Sequence, residues 1–185
     1  MIRAGALVLA LLAGGPALAA RRADDGGDGA DAPRQRALAF AHRKLGRRFA
    51  GDCSGFVLAA LREAGIRPAL GRARSRSESL HRASRAVKRP RPGDLAFFHH
   101  TYDRNRDGRA NDPYSHVALV ETVHGDAVTL LHRGARGIER VRMNLRRPSD
   151  PGANDPVRWR RKRDPRRLRV LSGELFAGYG SLPGT

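Results

Sequence analysis

Asp52-Cys53-Ser54-Gly55-Phe56-Val57, continuing through Leu58, Ala60 and Leu61 to Glu63, is the stretch that decides the fold. Asp52 is a good N-cap and Gly65 a good terminator, so the pattern predicts a helix that starts at Cys53. Phe56, Val57 and Leu61 anchor that helix and leave the thiol on its first turn. The first N–H groups of a helix are unpaired and form the positive end of its dipole. Both favour a thiolate, so a cysteine there is expected to have a lowered pKa and to be a good nucleophile. Gly55 lets another chain or a substrate come close. Cys53 is the single cysteine. With no internal disulfide partner, it reads as a reactive group or an intermolecular bridge, the bland alternative being a buried, inert thiol.

Upstream, Arg34 to Leu45 predicts a helix, with Pro33 at its first turn and Gly46 at its end. Leu38, Ala41 and Leu45 share one face. Downstream, a weaker helix is expected over Ser77 to Val87, and Pro90-Arg91-Pro92-Gly93-Asp94 forms a turn capped by Asp94. The pattern then changes to strands: Leu95 to Phe98, His116 to Val123, Ala127 to His132 and Ile138 to Leu145. Helices first and neighbouring strands after indicate an α+β fold with an antiparallel sheet.

A cysteine nucleophile needs a base on an ordered platform. Of the seven histidines, His42 and His81 fall on arginine-rich helices, His124 in a turn, and His99 and His100 at a strand exit. His116 opens the best strand and His132 ends the next. If Val123-His124-Gly125 is a three-residue hairpin loop, Val120 faces Val128, Ala118 faces Leu130 and His116 faces His132 on one side of the sheet. A one-residue slip would separate the two imidazoles to opposite faces.

Four segments now resemble, in order, the landmarks of the NlpC-like cell-wall peptidases. They are Asp52 to Val57, Arg91-Pro92-Gly93-Asp94-Leu95-Ala96-Phe97-Phe98, Ser115-His116-Val117-Ala118-Leu119-Val120, and Leu130-Leu131-His132. The CHAP amidases and peptidases are close neighbours with the same logic. The resemblance implies a papain-like fold, with the Cys53 helix packed on the antiparallel sheet. It also implies acyl transfer by Cys53, with His116 as the base that forms a thiolate–imidazolium pair, His132 as its orienter, and helix-start N–H groups holding the oxyanion. One departure is visible: the family's tyrosine before the nucleophile is replaced by Phe49, which has no hydroxyl. The implied substrate is an amide bond of peptidoglycan. A stem-peptide endopeptidase is the first reading and an N-acetylmuramoyl-L-alanine amidase of CHAP type the next. The rival from another class is an inactive basic protein that binds the envelope.

No cofactor is required for that chemistry. A structural calcium is suggested only by the loop Asp103-Arg104-Asn105-Arg106-Asp107-Gly108-Arg109-Ala110-Asn111-Asp112. Its alternating oxygen ligands, Asp103, Asn105 and Asp107, are followed by a glycine, with Asn111 and Asp112 beyond. Position twelve is Tyr114 rather than glutamate. A polar surface loop built on Asx turns is the other reading.

The ends of the chain carry addresses rather than chemistry. Met1-Ile2-Arg3, the apolar run from Ala4 to Ala13 and Ala17-Leu18-Ala19 have the layout of a secretory signal peptide. The run is shorter than the roughly 20 residues of a membrane span, so no transmembrane segment is expected in the mature chain. The expected organisation is signal peptide 1–19, flexible linker 20–33, peptidase domain 34–147 and a basic extension 148–185, free or packed on the domain. The expected location is the periplasm, the cell envelope or outside the cell, and the expected state a monomer. The net charge of +18 points to anionic envelope polymers, peptidoglycan among them. Only Trp159 interrupts the basic tail as an aromatic, so specific nucleic-acid binding is not expected.

Overall fold

The computed structural model describes residues 27–109, 111–160, 164–165 and 167–182. The expected signal peptide, residues 1–19, lies outside them. Helix α1 (Gly27–Lys44) begins inside the stretch read as a linker, with Pro33 within it. The extra turns have a tertiary cause. Asp31 lies 3.7 Å from the Arg34 guanidinium and 4.0 Å from that of Arg91, which ties the early turns to the turn before the sheet. Helix α2 (Cys53–Glu63) has the expected bounds and the expected Asp52 cap. Helix α3 (Arg76–Ala83) is capped by Ser75, whose hydroxyl accepts from the Glu78 N–H at 3.0 Å. It stops short of the predicted Val87. Ser84 turns extended, and Arg85–Val87 becomes strand β1 because it finds a partner strand late in the chain.

The remaining elements are β2 (Leu95–Phe98), β3 (His116–His124), β4 (Ala127–Arg133), β5 (Ile138–Asn144), the short helix α4 (Ser172–Leu175) and β6 (Phe176–Ser181). They form one antiparallel sheet in the order β1-β6-β2-β3-β4-β5. The fold is therefore α+β, and consistent with a papain-like arrangement. Among the described residues, no helix is long and apolar enough to cross a membrane.

The sheet separates two cores. On one face Phe56, Val57, Leu61, Leu80, Leu95, Phe97, Val117, Leu119 and Leu131 pack between helices and sheet. On the other, Phe98, Val120, Leu130, Val141 and Met143 pack against Val157 and Leu175 from the C-terminal segment. Full burial of a ring such as Phe56 stabilises the helix–sheet contact by roughly 2–3 kcal/mol.

The chain beyond residue 147 enters the sheet. β6 lies inside the sheet, with Leu95 facing Gly180 and Val87 facing Tyr179. Gly180 is required there, since a Cβ at this position would stand 2.5 Å from the Cβ of Ser84. Asp94 also does more than cap its turn. It accepts from the Arg91 N–H at 2.7 Å and pairs with buried Arg34 at 2.8 Å, and Arg34 donates onward to Ser181 at 3.0 Å. One buried cation thus joins α1, the turn before β2 and the end of β6.

A chain ending at residue 147 should accordingly fail to fold. It would leave β1 without a partner, expose one edge of β2 and strip the second core of Val157 and Leu175. Circular dichroism and a cooperative denaturant transition in the truncated chain would contradict this.

Candidate active site

The site is built where α2 meets β3. Asp52 is extended (φ −91°, ψ −175°). Its Oδ1 accepts from the Gly55 N–H at 2.7 Å and the Ser54 hydroxyl at 2.8 Å, and its Oδ2 from Arg76 at 3.1 Å. That clamp sets Cys53, which is partly exposed, at the first turn. The loop ahead of it is tied to β5: the Gly46 N–H donates to Ile138 O at 2.8 Å and the Ile138 N–H to Arg47 O at 3.0 Å. Gly137, at φ +153°, permits this, because a Cβ there would collide with the Arg47 carbonyl. Phe49 turns its ring edge-on to Phe56, with centroids 5.6 Å apart, and so packs toward the core.

Cys53 meets β3 at Val117, the residue after His116; the Val117 N–H is a hydrogen-bond donor to the sulfur. His116 Nε2 lies 2.9 Å from His132 Nδ1, both side chains are buried, and the rings stand nearly perpendicular at 82°. The two histidines singled out in the sequence therefore stand side by side, but not through the expected register. The hairpin loop is Gly125-Asp126, since His124 pairs with Ala127. Gly125 takes φ +58° at the first loop position, as a two-residue hairpin allows. Val120 then faces Leu130 rather than Val128, and the two histidines meet on the diagonal instead of directly across.

A bulge keeps them on one face. Between Val120↔Leu130 and Thr122↔Thr129 the register shifts, leaving Glu121 as the extra residue of β3. The turn alone displaces the expected register by an odd number of residues, which would send the imidazoles to opposite faces. The bulge restores even parity. Glu121 itself points to the helix side, where its carboxylate takes a bidentate grip from Arg140 (2.7–3.0 Å) and contacts His42 Nε2 at 2.8 Å.

The electrostatics differ from the expected ion pair. Burial pushes the Cys53 thiol up to about 11, opposed by the N–H groups of Val117, Ser54 and Cys53 and reinforced by the charge of Asp52. Burial, followed by the neighbouring His132, holds His116 well below the ordinary imidazole range, while Asp52 pulls it upward. Burial lowers His132 to about 4, against Glu139 and Asp155. At rest the thiol and both imidazoles are neutral.

Sequence reasoning overlooked Tyr102. Its phenol is raised first by burial and then by the charges of Cys53 and Asp52, so the loop after β2 lies within electrostatic reach of the start of α2. Only the fold reveals it, because Tyr102 lies far from Cys53 in sequence. Two of the other histidines pack around Tyr114: His81 stacks on its ring at 4.0 Å, and His99 Nδ1 accepts from the Tyr114 N–H at 2.9 Å.

The acidic loop closes on itself. Asp103 accepts from the N–H groups of Asp107 (3.1 Å) and Gly108 (2.9 Å), and Asp107 accepts from that of Arg109 (2.8 Å). Asn105 and Asn111 donate to Asp107 at 3.1 and 3.2 Å. Asp112 stands apart, buried and held by Arg104 at 3.2 Å. Among the described residues, no group of three or more His, Cys, Asp or Glu side chains is placed to hold a metal ion.

The lowered histidines link the site to stability. A buried base whose folded pKa is depressed leaves the unfolded chain with more bound protons between the two values, so stability is full above about pH 6.5 and falls as pH drops toward 4. For His132 alone the loss reaches about 3 kcal/mol. His132→Asn should flatten this part of the pH–stability curve by that amount in denaturant titrations; an unchanged slope would mean that His132 is not buried neutral.

No curated protein matches the chain. The stretch from the end of α1 to the end of β4, residues 44–133, which carries Cys53, His116 and His132, matches the family model of the CHAP domain, whose members are typically cysteine- and histidine-dependent amidohydrolases or peptidases.

Proposed function

We propose that this protein is an exported cysteine hydrolase that cleaves an amide bond in peptidoglycan, with Cys53 as nucleophile, His116 as base and His132 as positioning residue. The CHAP match supports the broader peptidoglycan-hydrolase reading. The observation that carries the site is the buried His116–His132 pair at 2.9 Å, set one residue from the Val117 N–H that meets the Cys53 sulfur. Export rests on the layout of residues 1–19.

The chemistry follows from a neutral pair. With Nε2 of His116 donating to His132 Nδ1, Nδ1 of His116 is the ring's acceptor for the thiol proton. The proton leaves Cys53 as sulfur attacks the amide carbonyl, so charge is created only when substrate is in place. The N–H groups of Cys53 and Ser54 at the start of α2 stabilise the oxyanion. His116 then returns the proton to the leaving amine, and water hydrolyses the thioester. Because both groups are neutral at rest, the acid limb of activity belongs to His116 and lies well below its ordinary pKa.

Digestion of purified peptidoglycan, with products identified by mass, tests the reading. Wild type should release fragments and Cys53→Ala none, a loss of at least about a thousandfold in rate for a nucleophile. The masses also separate a stem-peptide cut from a cut at the sugar–peptide junction. Identical digests from the two proteins would leave the binding-protein alternative.

A calcium site at Asp103, Asn105 and Asp107 is a separate proposal. The loop's self-closure and the Arg104–Asp112 pair favour an Asx-turn loop. Calcium binding would raise Tm by mass action, and Asp107→Ala would remove the rise. Identical melting curves with calcium and with chelator would settle the loop as metal-free.

A further inference from the structure

We propose that the cavity behind the histidine pair is a saccharide-binding site, taking a neutral sugar unit of a glycan strand against Trp159 with its hydroxyls on His132, Glu139 and Arg158. It lies apart from Cys53 and goes beyond the hydrolase reading. The cavity, about 590 Å³, opens where β5 meets the C-terminal segment. His132 reaches it from the face of the sheet that carries Leu130 and Val141, whereas α2 and Cys53 pack on the opposite face. Every other lining residue comes from beyond residue 133, where the CHAP match ends.

Two buried polar side chains line the cavity with unspent donors. His132 is 5% exposed and uses Nδ1 on His116; Nε2, across the ring, has no hydrogen-bond partner among the described residues. With His116 Nε2 donating to that Nδ1, Nε2 of His132 carries the ring proton. Arg158 is 9% exposed; its Nη1 donates to His100 O at 2.6 Å, and its Nε is buried without a partner. A buried N–H without an acceptor is costly, and a ligand oxygen would satisfy it. Acceptor capacity is present as well. Glu139 stands directly across from His132 in the β4–β5 ladder, and each of its oxygens takes a single bond from Arg136, at 3.1 and 3.4 Å.

That mixture selects the ligand. An anion would meet the charges of Glu139 and Asp155, and a cation those of the arginines. Those arginines are largely engaged: Arg136 with Glu139, Arg140 with Glu121, and Arg160 with the carbonyls of Pro165 and Leu168 at 2.8 and 2.7 Å. Arg142 likewise occupies Asp155. What remains for a ligand is two N–H donors, a carboxylate with free lone pairs and a flat apolar surface. Trp159 supplies that surface: it is 62% exposed and makes no ring contact among the described residues. Sugar hydroxyls both donate and accept, and the C–H face of a sugar ring stacks on an indole. A few convergent polar groups beside an aromatic wall are the usual make-up of a small-ligand pocket.

Trp159 is the single tryptophan, so indole fluorescence reports on this cavity alone. Titrating the full-length Cys53→Ala protein with a linear tetramer of N-acetylglucosamine should change the emission to saturation, and a sugar-free stem peptide should leave it unchanged. At saturation the His132 Nε2–H resonance should shift in NMR spectra. In calorimetry Trp159→Ala should weaken the tetramer's Kd roughly tenfold or more. The indole is exposed, so that variant should fold. No emission change at millimolar tetramer, an equal response to the stem peptide, an unmoved His132 resonance or an unchanged Kd in Trp159→Ala would overturn the site. Digestion of peptidoglycan by wild type is followed in parallel. Saccharide binding by a protein that digests nothing upholds the site and rejects the hydrolase reading, whereas digestion without saccharide binding does the reverse.

Discussion

One extra residue in β3, Glu121, keeps the candidate site on a single face of the sheet. Side chains alternate along a strand, so a histidine pair drawn from two strands exists only if their registers agree in parity. The Gly125-Asp126 turn sets one register and the bulge at Glu121 corrects it before the strand reaches His116. The bulged residue is not left to solvent. Its carboxylate is gripped by Arg140 of β5 and touched by His42 of α1, so the irregularity is pinned from both the sheet and the helix layer. Cys53 approaches from the helix side and the imidazoles occupy the other face of the sheet. The two faces are read out by successive residues at the end of β3, where Val117 and His116 point in opposite directions.

The same economy appears at the sheet's other side. β6, drawn from the last residues described, fills the gap between β1 and β2, and buried Arg34 ties α1 to both Asp94 and Ser181. Removing either partner of a buried pair costs about 3–5 kcal/mol, since the survivor is left charged and unsolvated. The C-terminal segment is therefore part of the fold that carries the site, and Asp155 from it also acts electrostatically on His132.

Burial gives the site its resting state. A helix start alone would favour a thiolate, and three backbone N–H groups do pull that way, yet loss of water around the sulfur and the nearby Asp52 charge outweigh them. Burial likewise keeps both imidazoles neutral. For the reaction proposed above, a neutral pair that separates charge only on attack would concentrate stabilisation in the transition state.

Local features were legible in the sequence because they depend on neighbours in the chain. The Asp52 cap and the bounds of α2 follow from side-chain-to-backbone hydrogen bonding within a few residues. The strands β2 to β5 follow from apolar alternation bounded by turn residues. Cys53, His116 and His132 could be chosen from those elements alone. Whatever depended on long-range pairing was not legible. The two-residue turn with its bulge, the conversion of Arg85–Val87 to a strand, the early start of α1 and the placing of β6 inside the sheet each require a partner distant in sequence. The electrostatic coupling of Tyr102 to the start of α2, and the burial that reverses the expected charge state of Cys53, belong to the same class. Candidate side chains and the local elements that hold them are thus legible in the chain of residues. Tertiary structure decided their register, their protonation and what stands beside them, because each of these is set by atoms that only folding brings near.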